Sequence, residues 1–233
     1  MEFQDRQVVV TGGTGALGTA VVARLLAAGA TCHIPNFAAA ELDAFALAGE
    51  PGVEVTSGID LADEAQVDGY YAGLPPLWAS IHIAGGFAMA PLAETGGDDF
   101  RAQMRMNALT CFLCCRAAAG NMNAGGDGGR LVNVAARPAL EPRSGAGMAA
   151  YTASKAAVAA LTQALGEELA GDGILVNAVA PSILDTAANR AAMPKADHAA
   201  WPKVAQVAET VAHLASPLNG VARSAVVPVY GAS

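Results

Sequence analysis

Positive charge is scarce in this chain: 13 Lys and Arg stand against 21 Asp and Glu in 233 residues, a formal net charge of −8. A surface that tracks a phosphate backbone needs the opposite balance, so no nucleic acid is expected as a partner. Long apolar runs are missing too. No uninterrupted stretch reaches the roughly 18 to 20 residues of a membrane span. The opening MEFQDRQVVV breaks at Thr11-Gly12-Gly13 before it builds the apolar centre of a signal peptide. The expectation is a cytoplasmic chain with no membrane partner. Cysteines number only 4, with Cys111, Cys114 and Cys115 in a helical stretch and Cys32 in a strand. Nothing in their spacing pairs them as a zinc site would, so they read as buried free thiols and no metal is expected.

What is abundant is core-forming material: 53% of residues are hydrophobic and only 15% charged. That supply suits one domain over residues 1–233. Short β-rich runs alternate with longer Ala/Leu-rich ones, the rhythm of a parallel sheet covered by helices on both faces. Strands are expected over Gln7–Val10, Thr31–Ile34, Val53–Thr56, Ala79–Ile83, Arg130–Val134, Leu175–Ala180 and Ala225–Val229. Helices are expected near 15–28, 38–48, 62–72, 98–122, 149–170 and 203–215. The fold class is α/β, a Rossmann-type doubly wound sheet of about seven strands. In such sheets ligands lie outside the carboxyl ends of the strands.

After the first strand comes TGGTGALG, in which Gly13, Gly15 and Gly18 form G-x-G-x-x-G at a helix start. Glycines let the backbone approach a pyrophosphate, whose charge meets the unpaired N–H groups of the helix. A P-loop would need Gly-Lys-Ser/Thr, which is absent. The residue that reads the adenosine ribose falls near the end of the second strand, closest to Asn36. Asn36 is neither the carboxylate that favours NAD nor the arginine that favours NADP; with no cation beside it, the expectation is NAD or NADP with a lean to NAD. Asp60, after the third strand, can accept from an adenine amino group or cap the helix over 62–72.

YTASK places Tyr151 and Lys155 four residues apart on one helix face. An ammonium beside a phenol stabilises the phenolate and lowers its pKa from about 10. Such a tyrosine can pass the proton that accompanies hydride transfer. With three lysines and four tyrosines in the chain, roughly 0.05 such pairs arise by chance, so the spacing is informative.

TGGTGALG, Asp60, Asn107 in MRMNALT, YTASK and VNAVAPSILDT together resemble the short-chain dehydrogenase/reductase family, in order and spacing, across essentially the whole chain. The resemblance implies a nicotinamide dinucleotide cofactor, a small-molecule substrate and a homodimer or homotetramer. It makes Tyr151 the acid/base, Lys155 the residue that positions cofactor and lowers the tyrosine pKa, and Asn107 the support of a proton-relay water. On the cofactor side it implies Gly12, Gly13, Gly15, Leu17, Gly18, Asn36, Asp60, Leu61, Ala84, Gly85, Lys155, Pro181 and Thr186. On the substrate side it implies Ala136 and Trp201, the latter after a segment that often acts as a lid.

Departures from the family pattern are informative. Ala16 stands at a usual glycine, His82-Ile83-Ala84-Gly85 at the usual N-N-A-G, and Ser182 after Pro181 at a usual glycine. Ala136 stands where the family carries a substrate-polarising serine. In that loss, in the glycine turn and over residues 184–201, the chain is similar to the dihydropteridine reductase branch of the family. Losing one such donor costs about 2.7 to 4 kcal/mol on a ketone, whereas a quinonoid dihydropterin is electron-poor and needs less help. Alternatives are a carbonyl reductase or alcohol dehydrogenase in which water, Ser144 or Ser182 replaces the serine, and a catalytically silent dinucleotide-binding protein. His82 reads as locally hydrogen-bonded rather than a catalytic base. Met106, Cys111, Cys114 and Cys115 read as core or subunit packing.

Overall fold

The computed structural model describes residues 1–233. In chain order its main elements begin with β1 (Gln7–Thr11), α1 (Ala16–Ala27), β2 (Thr31–Asn36), α2 (Ala39–Asp43), β3 (Val53–Ser57) and α3 (Glu64–Ala72). They continue with β4 (Ala79–His82), α4 (Gly97–Gln103), α5 (Thr110–Gly125), β5 (Gly129–Val134), α6 (Arg137–Leu140) and α7 (Ala149–Glu168). The last are β6 (Ile174–Pro181), α8 (Ala187–Ala192), α9 (Val204–Ala215) and β7 (Val226–Val229). All seven expected strands form, and they make one parallel sheet in the order β3-β2-β1-β4-β5-β6-β7. The chain runs outward from β1 in one direction and then resumes on its other side with β4. The reversal leaves a crevice at the carboxyl ends of β1 and β4, where a doubly wound sheet binds ligands.

Side-chain alternation along the strands sets the layers. Val8 and Val10 of β1, with Ile34, Ile81, Val132 and Val179, pack against Val21, Leu25, Val207 and Val211 of α1 and α9. Val9, Leu131, Val176 and Ala180 face the other way, onto Val67, Tyr71, Cys114, Cys115 and Val158 of α3, α5 and α7. All four cysteines are buried and free. Trp78 lies at the opposite end of the sheet from the crevice, between the guanidinium groups of Arg6 and Arg130, with its Nε1 donating to the Ala215 carbonyl at 2.9 Å.

The helices differ from expectation in four places. The helix expected over 38–48 stops at Asp43, because Phe45 turns inward, 4% exposed, and short-range turns carry the chain on to Gly49. The long helix expected over 98–122 is interrupted by a π-helical stretch, Met104–Leu109, between α4 and α5. Two short helices were not expected: α6, which has a proline in its first turn, and α8, capped by the Thr186 hydroxyl accepting from Asn189 N at 3.1 Å.

Candidate active site

The loop after β1 has no room for a side chain at two of its glycines. Gly12 has φ of 65°, and a Cβ there would lie 2.8 Å from the Ala84 backbone nitrogen; a Cβ on Gly18 would lie 2.0 Å from the Gly12 carbonyl oxygen. The loop therefore presses against the chain leaving β4, where Ala84 N donates to the Thr11 hydroxyl at 3.2 Å. Helix α1 then starts at Gly15 with no side-chain cap and no acidic residue in its first turn. Its leading N–H groups stay available to an anion, as a pyrophosphate cradle requires.

A cavity of about 800 Å³ opens there, large enough for a dinucleotide half or more. Of the residues expected on the cofactor side, Gly12, Gly15, Leu17, Gly18, Asn36, Asp60, Leu61, Ala84 and Gly85 line it. Gly13 does not: its missing side chain makes space for Ile34, which a Cβ would approach to 2.9 Å, so it is a packing glycine. Pro181 and Thr186 also lie off this wall, Pro181 closing β6 and Thr186 capping α8. Asn36 is 3% exposed; its amide donates to the Ala38 carbonyl at 2.9 Å and its side-chain oxygen has no partner. An orphaned acceptor on the cavity wall, a glycine-lined cradle and an uncapped helix start all suit a nucleotide with ribose hydroxyls and phosphates.

Asp60 does not cap α3. That role belongs to Asp63, which accepts from Gln66 N at 3.1 Å. Asp60 instead accepts from Ala62 N at 2.9 Å and from Arg105 Nη2 at 2.8 Å. Arg105 and Glu41 are cavity residues that the sequence did not reveal. Glu41 accepts from the Thr14 hydroxyl at 2.9 Å, 27 positions away in sequence. The π-helical stretch explains Arg105 and Met106: its wider turn puts both on the cavity wall while Asn107 points inward. Met106 is 42% exposed with its sulfur against Gly86, so it is not part of the core stripe.

Beyond the cavity wall lie the reactive groups. Lys155 is buried, and its Nζ donates to the Val134 carbonyl at 2.8 Å. Gly85 separates it from Asn107: a Cβ on Gly85 would lie 2.4 Å from Asn107 Oδ1 and 3.5 Å from Lys155 Nζ. Asn107 clamps the following residue, accepting from Gly86 N at 3.1 Å and donating to Gly86 O at 3.0 Å and Ser154 Oγ at 3.1 Å. Its amide therefore shapes the loop that leaves β4.

Tyr151 packs edge-on against Phe87, ring centroids 5.0 Å apart at 83°. The lowering of its pKa expected from Lys155 is outweighed by the loss of water around the phenol. Burial pushes the Tyr151 phenol up to about 12. Burial also pushes the Lys155 ammonium down to about 8, against an opposing pull from Cys111. Both shifts run toward the neutral form because both groups have lost water.

Ala136 is 5% exposed and follows directly on β5 in extended backbone. The hydroxyls that could stand in for its missing serine are engaged locally. Ser144 donates to the Glu141 carbonyl at 2.8 Å, and Ser182 donates to the Tyr230 carbonyl at 2.9 Å. Trp201 is not an open pocket wall: it is 5% exposed, its ring 4.6 Å from that of His198.

Behind Lys155 runs a buried polar chain. Tyr71 meets Ser80 at 2.9 Å, Ser80 meets His82 Nε2 at 2.9 Å, and His82 Nδ1 meets Asn133 Oδ1 at 2.8 Å. Asn133 Nδ2 donates onward to the Thr162 hydroxyl at 2.9 Å. His82 is thus a packed, hydrogen-bonded histidine. Its donor atoms and those of Cys111 and Cys115 lie within 4.8 Å of one another, but both ring nitrogens already have partners.

Comparison with known proteins agrees with this geometry. Residues 6–197 match the family model described as short chain dehydrogenase. The chain is 32% identical over 192 residues to a sorbitol dehydrogenase of Cereibacter sphaeroides, covering 79% of this chain and 73% of that one. It is 33% identical over 192 residues to 2-dehydro-3-deoxy-L-rhamnonate dehydrogenase (NAD(+)) of a Sphingomonas strain, covering 79% and 74%. Among solved structures, a short-chain type dehydrogenase/reductase from Mycobacterium ulcerans superposes with a TM-score of 0.90 at 25% identity, covering 100% of this chain and 90% of that one. A blue fluorescent protein from a metagenomic library, in complex with NADPH, superposes with a TM-score of 0.88 at 28% identity, covering 100% and 99%. With its glycine cradle, its Tyr151–Lys155 helix and its sheet order all in place, the chain belongs to the short-chain dehydrogenase/reductase family.

Proposed function

We propose that this chain is a reductase that delivers hydride from a nicotinamide dinucleotide to a conjugated, electron-poor acceptor, with Tyr151 donating the accompanying proton. When bound, the reduced dinucleotide supplies the hydride. Gly12, Gly15 and Gly18 would hold its pyrophosphate against the start of α1, Asn36 and Asp60 its adenosine half, and Ala84 and Gly85 the wall beneath its reactive end. Lys155, just behind Gly85, would hold the nicotinamide ribose.

The observation that carries the reading is the placement of the reactive pair: Tyr151 and Lys155 lie one turn apart on α7, and Lys155, buried and held by the Val134 carbonyl, sits just behind Gly85 of the cavity wall. A phenol held at about 12 by burial keeps its proton at neutral pH, which is the form a donor needs when an acceptor is reduced. Ala136 argues for acceptor type. No hydroxyl at the end of β5 polarises a substrate oxygen before hydride arrives, and Ser144 and Ser182 are occupied elsewhere. An acceptor whose conjugated ring already withdraws electrons needs no such donor. A quinonoid dihydropterin is one such acceptor.

The test follows NADH and NADPH oxidation with a quinonoid dihydropterin and, separately, with simple ketones, using wild type and Tyr151→Phe. Turnover of the dihydropterin that falls about 10²- to 10⁴-fold in Tyr151→Phe supports the reading. Turnover confined to ketones would show an ordinary carbonyl reductase. Dinucleotide binding without turnover of either class would show a catalytically silent protein.

A further inference from the structure

We propose that Glu41 selects the unphosphorylated dinucleotide, NAD(H), over NADP(H), by holding a carboxylate at the β2 end of the cavity where the adenosine ribose is read. The proposal rests on the dinucleotide reading of this cavity given above.

Three observations meet at this end of the site. The first is the pair Thr14–Glu41. The hydroxyl of Thr14, in the glycine loop, donates to Glu41 Oε2 at 2.9 Å, and both residues line the cavity. That bond ties short helix α2 to the phosphate cradle and gives an exposed carboxylate a defined place.

The second is Asn36. It is buried on the same wall, its amide is spent on the Ala38 carbonyl, and its side-chain oxygen has no partner. A buried acceptor without a donor is costly, so it calls for an O–H or N–H from a ligand. A ribose diol brings two such donors. A 2′-phosphate replaces one of them with oxygens that only accept.

The third is the fate of positive charge. Arg105 is the one Lys or Arg on the cavity wall, and its Nη2 is held by Asp60 at 2.8 Å. A dianionic 2′-phosphate would meet the Glu41 carboxylate and the Asn36 oxygen, and the one cation on the wall is already shared with Asp60. Like charges brought together in a half-enclosed cleft disfavour the wrong partner strongly. The carboxylate missing at the end of β2 is thus supplied five residues later from α2.

The experiment measures binding, independent of turnover. NADH and NADPH are titrated by fluorescence into wild type, Glu41→Gln and Glu41→Arg, with ADP-ribose and its 2′-phosphate as probes that carry no nicotinamide. Melting curves confirm that each variant folds. Wild type is expected to bind NADH at least roughly tenfold more tightly than NADPH, Glu41→Gln to narrow that ratio and Glu41→Arg to reverse it. The two ADP-ribose probes are expected in the same order, with a gap that narrows at high salt because the repulsion is screened. Equal affinities in wild type, a preference for NADPH, or a preference that Glu41→Gln leaves untouched would overturn the proposal while leaving the dinucleotide site standing. Failure of every probe to bind would overturn the dinucleotide reading itself, and this inference with it.

Discussion

Lys155 donates to the carbonyl oxygen of Val134 across 2.8 Å, anchoring the ammonium to the last residue of β5 and away from water. Burial brings this ammonium close to losing its proton, and the consequence can be measured on the protein without cofactor. The folded pKa is lowered to about 8 from 10.5. Between those values the unfolded chain keeps a proton that the folded one has released, so this group makes stability rise with pH across that window. Below about pH 8 the folded protein carries the full cost of the buried charge. Denaturant melts of wild type and Lys155→Met from pH 7 to 10 are expected to show a stability difference that changes by up to about 3 kcal/mol, at about 1.4 kcal/mol per pH unit. Two parallel curves would mean that Lys155 titrates as it does in water.

Restoring the missing hydroxyl tests what its absence means. Ala136 sits in extended backbone that a serine adopts without strain. Ala136→Ser is expected to raise kcat/KM for unactivated ketones by roughly 10²-fold, the typical value of one oxyanion donor, and to change reduction of conjugated acceptors far less. Equal gains on both classes would detach the alanine from substrate type.

Gly85 allows the cavity wall and the reactive lysine to share one thin layer of backbone. With a Cβ 2.4 Å from Asn107 Oδ1, Gly85→Ala must push the asparagine or the loop aside. The expected cost is about 1 to 3 kcal/mol of stability, together with weaker dinucleotide binding, read by thermal melting and by NADH titration. A variant as stable and as tight-binding as wild type would show that the loop yields freely.

The buried chain through His82 should behave as a unit. With the Asn133 amide donating to Thr162, its oxygen faces His82 Nδ1, which is therefore the protonated ring nitrogen. Asn133→Leu strands that N–H in the core and is expected to cost about 1 to 3 kcal/mol. The double variant His82→Leu/Asn133→Leu is expected to cost less than the sum of the two single changes, as measured in a double-mutant cycle. Strict additivity would show that the two side chains do not depend on each other.

The parts of the site that were legible from the sequence are those fixed by backbone. Gly12 and Gly18 are readable because no other residue fits so close to Ala84 N and the Gly12 carbonyl, and the central strands because their apolar runs are buried on both faces. Tyr151 and Lys155 are readable because helix spacing places them. Glu41 and Arg105 were not, since charged residues on a short helix and on a long one look solvated until tertiary contacts with Thr14 and Asp60 locate them. Asp60 and Asp63 competed for one cap, and only the hydrogen bond to Gln66 N decides between them. The pKa of Tyr151 was misjudged for a related reason: sequence shows the neighbouring ammonium but not the loss of water around both groups.

The π-helical stretch between α4 and α5 has a consequence for protein engineering. A helix that carries one residue more than an α-turn needs is out of step with itself on either side, by about 100° for that residue at 3.6 residues per turn. Removing a single residue within Met104–Leu109 would let α4 and α5 fuse into one regular helix, and the fusion would swing Arg105 and Asn107 away from Asp60 and Gly86. Segments exchanged with relatives across this point must carry the extra residue with them, or the helix will gain regularity and the site will lose its wall.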